Sequence, residues 1–272
     1  MALRRRQLGN TGISVAELGL GAMDTPHSPQ AVETVMTALA LDIDFIDTAR
    51  GYEGSEHLLG RVIRERGGKT FVAASKTFSH TANGSQWEID KSLSVLGVPF
   101  IDLYQLHDIS TERAWDEAMA DGGALDGLKT AQYRGLIGHI GISTHDLALA
   151  RRAIESGEFA TVMVEYSAFF PESAPVIELA AERGVGLIVM RPVGGSGRTS
   201  AMRGRIERGY TGPLTPANLL RYVLSNPAVS VAIPGARFPS RIIENVATAS
   251  DYTQMDEPER RELESEAARL YD

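Results

Sequence analysis

The sequence predicts an α/β fold, a (β/α)8 TIM barrel with an N-terminal β-hairpin and a C-terminal helix. Three observations predict it. Short β-branched or apolar runs alternate with segments of helical periodicity, as expected of repeated βα units around a parallel sheet. Eight such runs occur within 272 residues, close to the roughly 250 typical of eight units closed on themselves. The runner-up architecture, a doubly wound open sheet, needs G-x-G-x-x-G after its first strand, whereas Gly19-Leu20-Gly21-Ala22-Met23 runs into Asp24-Thr25-Pro26 here.

Taken in order, Leu3–Leu8 and Gly12–Val15 flank the turn cluster Gly9-Asn10-Thr11, which predicts a hairpin seated at the bottom of the barrel. Strands are predicted at Glu17–Gly21, Asp44–Asp47, Phe71–Ser75, Ile101–Leu106, His139–Ser143, Thr161–Glu165, Gly186–Met190 and Ser230–Ile233. In Ala31–Leu41 the apolar residues Val32, Val35, Met36 and Leu39 follow helical spacing, the face that a barrel helix packs inward. Trp87–Leu96, Pro175–Arg183 and Pro216–Ser225 behave alike. Thr215 before Pro216 is an N-cap signal, and Gly184 stands where a C-cap belongs. The charged stretch Asp256–Tyr271 carries Leu263, Ala267 and Leu270 on one stripe and predicts a terminal helix lying against the barrel. No linker, low-complexity tract or composition shift interrupts the chain, so residues 1–272 read as a single barrel domain.

Composition narrows the chemistry. With 43% hydrophobic and 23% charged residues, the chain reads as an ordinary soluble globular protein. It has no cysteine, which excludes disulfides, thiolate zinc, iron–sulfur clusters and a cysteine nucleophile. That absence suits a reducing compartment, and a cytoplasmic location is expected. A net charge of −8 opposes binding to nucleic acid or anionic lipid, and no apolar stretch approaches the about 20 residues that span a bilayer. Neither nucleic acid nor membrane is expected as a partner. His27, His57, His80, His139 and His145 lack paired metal-ligand spacing, so no metal is expected. Charge and composition name no oligomeric state.

Barrel active sites lie at the C-terminal ends of the strands. There the second strand ends at Asp47, the third runs into Lys76, the fourth runs into His107 and the fifth ends at Ser143. Tyr52, on the loop after the second strand, can lean over the same mouth. Each has a plain structural reading: Asp47 and Lys76 as an ion pair, Tyr52 as packing, His107 as a satisfied histidine. Together they form a set for tuning proton affinity. Asp47 holds Lys76 charged, and Lys76 favours the phenolate of Tyr52, lowering a pKa that starts near about 10. Tyr52 then serves as general acid or base, and His107 directs a substrate oxygen. Such a set moves protons without a nucleophile or a metal, which suits carbonyl reduction by hydride from a cofactor.

Several motifs recur in a fixed order: Leu8-Gly9-Asn10-Thr11-Gly12, Asp47-Thr48-Ala49-Arg50-Gly51-Tyr52 with Ser55-Glu56 and Gly60, and Ala74-Ser75-Lys76. Leu103-Tyr104-Gln105-Leu106-His107, Gly141-Ile142-Ser143 and Ile233-Pro234-Gly235-Ala236-Arg237 with Glu244-Asn245 follow. In that order and spacing, over roughly residues 3 to 250, the chain resembles the aldo-keto reductases. The resemblance implies a catalytic set of Asp47, Tyr52, Lys76 and His107. It also implies an NADP cofactor, with NADPH preferred and NAD an alternative, and a small-molecule carbonyl substrate interconverted with its alcohol.

By the same resemblance, the cofactor lies across the barrel top, bordered by Gly21, Ala22, Met23 and Asp47. Its nicotinamide meets Ser143, Thr144, Met163 and Met190, the last three standing where relatives carry an asparagine, a glutamine and an aromatic ring. Its pyrophosphate meets Arg191, Pro192, Val193 and Gly194. Pro234, Gly235, Ala236, Arg237 and Arg241 lie toward the 2′-phosphate, with Gly235 in place of a lysine, and Glu244 and Asn245 lie at the adenine. Substrate contacts are expected from Asp108–Gly123 and from Gly194–Gly212, the latter read as a flexible glycine-rich loop continuing into an arginine-rich stretch that is a solvated face or a mobile cover near the cofactor. Two other classes stay open: a cofactor-binding regulatory or scaffold protein, as the resemblance to potassium-channel beta subunits allows, and an aldolase-type barrel using Lys76 as a Schiff base.

Overall fold

The computed structural model describes residues 2–270. Two short strands, β1 (Arg5–Gln7) and β2 (Ser14–Ala16), pair antiparallel around a 3-10 turn at Gly9–Thr11. Eight parallel strands follow: β3 (Leu20–Gly21), β4 (Phe45–Asp47), β5 (Val72–Thr77), β6 (Ile101–Leu106), β7 (Ile137–Ser143), β8 (Thr161–Glu165), β9 (Gly186–Met190) and β10 (Val231–Ile233). They neighbour one another in chain order, and the two edges meet. The Gly19 amide donates to the Ala232 carbonyl at 2.8 Å, and the Ala232 amide donates to Glu17 at 2.9 Å. The expected barrel is therefore present.

The first strand is shorter than its pattern. Only Leu20–Gly21 ladder with β4, while Leu18 and Gly21 make single bridges to Ala232 and Gly235, because this segment divides its hydrogen bonds between two neighbours. The third strand runs on through Thr77, so Lys76 belongs to the strand rather than following it.

Helices α1 (Ala31–Ala40), α2 (Ser55–Glu65), α3 (Ala82–Leu96), α4 (Glu112–Met119), α5 (Ala124–Tyr133), α6 (Leu147–Ser156), α7 (Ala174–Glu182), α8 (Gly195–Glu207), α9 (Pro216–Leu224), α10 (Pro239–Ser250) and α11 (Glu257–Ala268) surround the sheet. α3 begins at Ala82 rather than Trp87 because the Thr81 side chain caps it, accepting from the Gly84 amide at 3.2 Å. Asp256 and Glu259 form a capping box that starts α11; the expected end of that helix at Tyr271 lies outside the described residues. Asp108–Gly123 contains α4 over half its length. The loop expected from Gly194 is corrected: Gly194, left-handed at φ 85°, caps α8, and Gly195 opens it. No helix among the described residues is long and apolar enough to cross a membrane.

Period-two alternation turns one side of each strand inward. Phe45, Ala74, Leu103, Met163, Ile188 and Val231 fill the interior, and Leu8 and Val15 from the hairpin join them from below. The hairpin lies flush against the start of β9. The Asn10 amide donates to the Gly184 carbonyl at 2.8 Å, and a Cβ on Gly9 would stand 2.2 Å from the Gly186 nitrogen. The hairpin therefore closes the lower end of the barrel, as its position in the sequence suggested.

Arg6 anchors this closure. Its guanidinium donates to the carbonyls of Leu224, Asn226 and Val229 at 2.6, 2.8 and 2.7 Å, and pairs with Glu17 at 2.6 Å. Glu17 is fully buried, and burial pushes its carboxyl above the usual range despite the opposing Arg6 charge. Removing the arginine would leave an uncompensated carboxyl and open carbonyls. Arg6→Ala should destabilise the fold by about 3–5 kcal/mol in urea unfolding, and a loss below about 1 kcal/mol would show the anchor to be dispensable.

Candidate active site

Above the apolar interior, the inward positions become polar. β4 ends in Asp47, β5 carries Lys76, β6 carries Gln105 and leads to His107, β7 ends in Ser143, and β8 ends in Glu165. Lys76 has no solvent exposure. Its Nζ donates to Asp47 Oδ2 at 2.6 Å, to the Thr48 carbonyl at 2.9 Å and to Tyr52 Oη at 3.4 Å, so each of its N–H bonds has a partner. Gln105 Nε2 donates to the other Asp47 oxygen at 3.3 Å and keeps the carboxylate in place. Burial pushes the Asp47 carboxyl above its usual range, against the Lys76 charge and the Gln105 hydrogen bond.

The loop that carries Tyr52 is fastened on both sides. Thr48 Oγ1 donates to Ser55 Oγ at 2.7 Å, and Ser55 Oγ donates to the Ala22 carbonyl at 2.9 Å. Buried Glu56 accepts from Arg50 and, at 2.7 Å, from Ser75 Oγ. The phenol therefore has one defined place beside Nζ. Its proton affinity departs from the sequence expectation: burial, together with the Asp47 charge, outweighs Lys76 and raises the Tyr52 pKa above 10. The lowering inferred from Lys76 alone is corrected, and Tyr52 is a phenol at neutral pH.

His107 sits at right angles to Tyr52, with ring centroids 5.3 Å apart. Phe78 stacks on its other side at 3.9 Å, in a space where a Cβ on Gly51 would meet the phenyl ring at 2.4 Å. Nδ1 of His107 is buried without a partner, leaving Nε2 as the nitrogen toward the mouth. Burial, then the Lys76 charge and His145, push the imidazole pKa down to about 3. The ring is neutral. Since an orphaned N–H is costlier than a bare acceptor, the proton is assigned to Nε2.

The residues expected to border a dinucleotide differ in exposure and in their partners. Ser143 is at the mouth, its Oγ accepting from the Asp108 amide at 2.9 Å. Thr144 is buried, and its hydroxyl accepts from the Asp146 amide at 3.0 Å in the turn before α6. Met163, level with Ser143 in the register of β7 and β8, is 2% exposed and joins the apolar interior. Met190 is half-buried at the rim, Met23 and Phe78 are exposed there, and Gly21 and Ala22 lie along β3. Pro192 and Gly194 are buried, and Val193 is partly so. Pro234 and Ala236 are buried after β10, Gly235 and Arg237 are exposed, and Arg241, Glu244 and Asn245 lie on α10.

Long-range partners reveal residues that the pattern missed. Glu165 accepts from His145 Nδ1 at 2.7 Å and from Arg191 at 2.8 Å, so His145 sits on the rim while Asp146 caps α6. The hydrogen bond from His145 and the Arg191 charge outweigh burial and hold the Glu165 carboxyl below its usual range. Arg203 of α8 reaches Glu244 at 2.9 Å. Glu165 shares Met163's strand parity two residues on, a signal legible in retrospect; Arg203 belongs to the arginine-rich stretch expected near the cofactor, and only its partner on α10 went unread. The residues suit a dinucleotide's phosphates. Arg191, Arg198, Arg203, Arg237 and Arg241 lie on or beside α8 and α10, and the N-cap Gly194 makes no side-chain cap, which leaves the first amides of α8 for an anion.

Neutral burial of His107 has a consequence for stability. Between about pH 6.5 and 3 the unfolded imidazole binds a proton that the folded one does not. This contribution is full above pH 6.5 and falls with pH, by up to about 1.4 kcal/mol per pH unit. His107→Gln should flatten that fall in urea midpoints measured from pH 7 to 4. An identical fall in the variant would contradict the assignment.

Comparison with known proteins bears on the family and the fold. An uncharacterized oxidoreductase of Bacillus subtilis, YqkF, is 25% identical, covering 97% of this chain and 96% of that one. An aldo-keto reductase of Schizosaccharomyces pombe, whose name carries the designation NADP(+), is 28% identical over 75% of this chain and 65% of its own length. An aldo-keto reductase of Bacillus halodurans, solved in its holo form, superposes with a TM-score of 0.81 over 99% of this chain and 97% of that one, at 22% identity, which speaks for the fold alone. The profile of the Aldo/keto reductase family matches residues 17–265, and the chain belongs to that family.

Proposed function

We propose that this chain is an NAD(P)(H)-dependent oxidoreductase that interconverts a small-molecule carbonyl and its alcohol, with NADPH preferred. The observation that carries the proposal is the contact of Tyr52 Oη with a fully buried Lys76 Nζ at 3.4 Å, opposite the edge of a neutral His107. A bound reduced nicotinamide would supply the hydride to the carbonyl carbon. Tyr52 gives its proton to the carbonyl oxygen, and the negative charge left on Oη is met by the Lys76 ammonium. Asp47 and Gln105 keep that ammonium charged and aimed. His107 donates from Nε2 to the same oxygen and fixes its direction. Met23, Phe78 and Met190 give the mouth apolar walls that favour a desolvated carbonyl.

The raised Tyr52 pKa supports a proton donor, hence the reductive direction at neutral pH; oxidation of an alcohol would need the phenolate and should quicken as pH rises. Ser143, Met190, the stretch Arg191–Gly194 and the arginines of α8 and α10 would hold the cofactor. We extend the proposal to a cytoplasmic setting, on the cysteine-free composition. A second reading, a cofactor-binding protein with little turnover, draws on Thr144 and Met163, which stand where relatives carry an asparagine and a glutamine. NADPH binding by fluorescence with no absorbance change on any carbonyl would favour it.

Tyr52→Phe removes only the transferable proton. Turnover should fall by about 100-fold or more with NADPH affinity within about twofold of the parent chain. Unchanged turnover would refute the role of Tyr52.

A further inference from the structure

One row of the barrel interior holds two polar atoms that the proposed chemistry does not use. In the strand register Lys76 of β5 stands level with Gln105 of β6, Gln105 with Gly141 of β7, and Gly141 with Thr161 of β8. Lys76, Gln105 and Thr161 have no solvent exposure. Gly141 has no side chain, and the space over it is taken from both sides: a Cβ there would stand 2.3 Å from Thr161 Oγ1 and 2.9 Å from Gln105 Cγ. The two side chains therefore lean toward each other across one glycine. Thr161 Oγ1 and Gln105 Oε1 are both buried and have no hydrogen-bond partner among the described residues. Two orphaned polar atoms this close together, beside an apolar interior, are costly unless they satisfy one another.

We infer that Thr161 is a positioning residue for the proton-transfer set, its hydroxyl tied to the Gln105 amide oxygen through one buried water. Its role in turnover rests on the oxidoreductase reading. A primary amide has a donor end and an acceptor end, and either one could face Asp47. With Nε2 toward Asp47 Oδ1, at 3.3 Å, the amide supports the carboxylate. Turned over, it would set Oε1 against a carboxylate oxygen and repel it. A donor on the far side of the amide fixes the first orientation, because reversal then sets N–H against that donor as well. The Thr161 hydroxyl is that donor, and a water carries it across the gap; a buried water takes about two to four polar partners, and these are the first two. The β-branched threonine has few rotamers, so its hydroxyl is held in place without further bonds. The effect reaches the reacting atom in three steps. Thr161 sets the amide, the amide sets the Asp47 carboxylate, and the carboxylate keeps Lys76 Nζ beside Tyr52 Oη. Thr161 touches neither the mouth nor the reacting atoms, so its effect falls on rate rather than on binding.

Magnetic resonance of the full chain without cofactor gives the first test. The side-chain amide of Gln105, identified by its loss in Gln105→Leu, should show the proton that faces Asp47 well downfield of its partner. Thr161→Val keeps the shape and removes the hydroxyl; it should shrink that separation by about half or more, and Thr161→Ser should restore it. With NADPH and para-nitrobenzaldehyde, Thr161→Val should lower kcat by about tenfold and leave both KM values within about twofold. In a Gln105→Leu background the same substitution should change kcat by less than about twofold. An unmoved amide signal in Thr161→Val overturns the assignment, whether or not the urea midpoint falls, and so does a full loss of kcat repeated in the Gln105→Leu background. If the amide responds as expected but the parent chain consumes NADPH with no aldehyde or ketone, the oxidoreductase reading falls while the tie between Thr161 and Gln105 stands.

Discussion

The ammonium group of Lys76, wholly cut off from solvent, dictates the arrangement of the barrel mouth. Taking such a charge out of water costs several kcal/mol, and the cost is offset only if every N–H finds an acceptor. Asp47 can serve because β4 and β5 are neighbours with the same inward parity. The Thr48 carbonyl can serve because the chain turns immediately after β4. Tyr52 completes the set only while residues 48–56 hold one conformation, which explains the buried Glu56 and the Thr48–Ser55–Ala22 relay. A hydrophobic pair would fill the same volume at less cost. The charge is therefore better understood as serving proton chemistry than as serving stability.

Much of this was legible in the sequence, and what was not has physical causes. Asp47, Lys76 and Ser143 fall at strand ends, and alternation alone turns them inward. Tyr52 was visible through its spacing from Asp47, but its proton affinity was not, because burial is a property of the assembled barrel and outweighs the one neighbour that spacing reveals. Met163 has the inward parity of a mouth residue and stands level with Ser143, but its place in the apolar interior emerges only from the packed barrel. Thr144 has a hydroxyl that a local turn claims first. α8 escaped because it opens with glycines and buries only Met202, so it carries neither propensity nor an apolar stripe. What holds it is charge pairing to distant residues, to which periodicity is blind.

Global and local electrostatics point in opposite directions in this molecule. The acidic balance of the chain disfavours polyanions at large, while arginines converge on one side of the mouth. Arg191 shows how closely such charges are placed. Its backbone is left-handed at φ 51°, which for a residue with a side chain costs about 1–2 kcal/mol, and its guanidinium reaches Glu165. The same charge is felt by the phenol of Tyr52, against the effect of burial. The rim thus combines a position for a small anion with influence on the proton donor.

The hairpin beneath the barrel has a kinetic meaning. With Leu8 and Val15 packed into the interior and Gly9 pressed against the start of β9, the lower end offers no passage. Whatever reaches Tyr52 enters and departs through the upper opening alone. Two molecules that share such a vestibule cannot exchange independently: the one lodged deeper waits for the one above it to leave. A stopper at the far end of the barrel, remote from every reacting atom, thereby imposes an order of arrival and departure on the site.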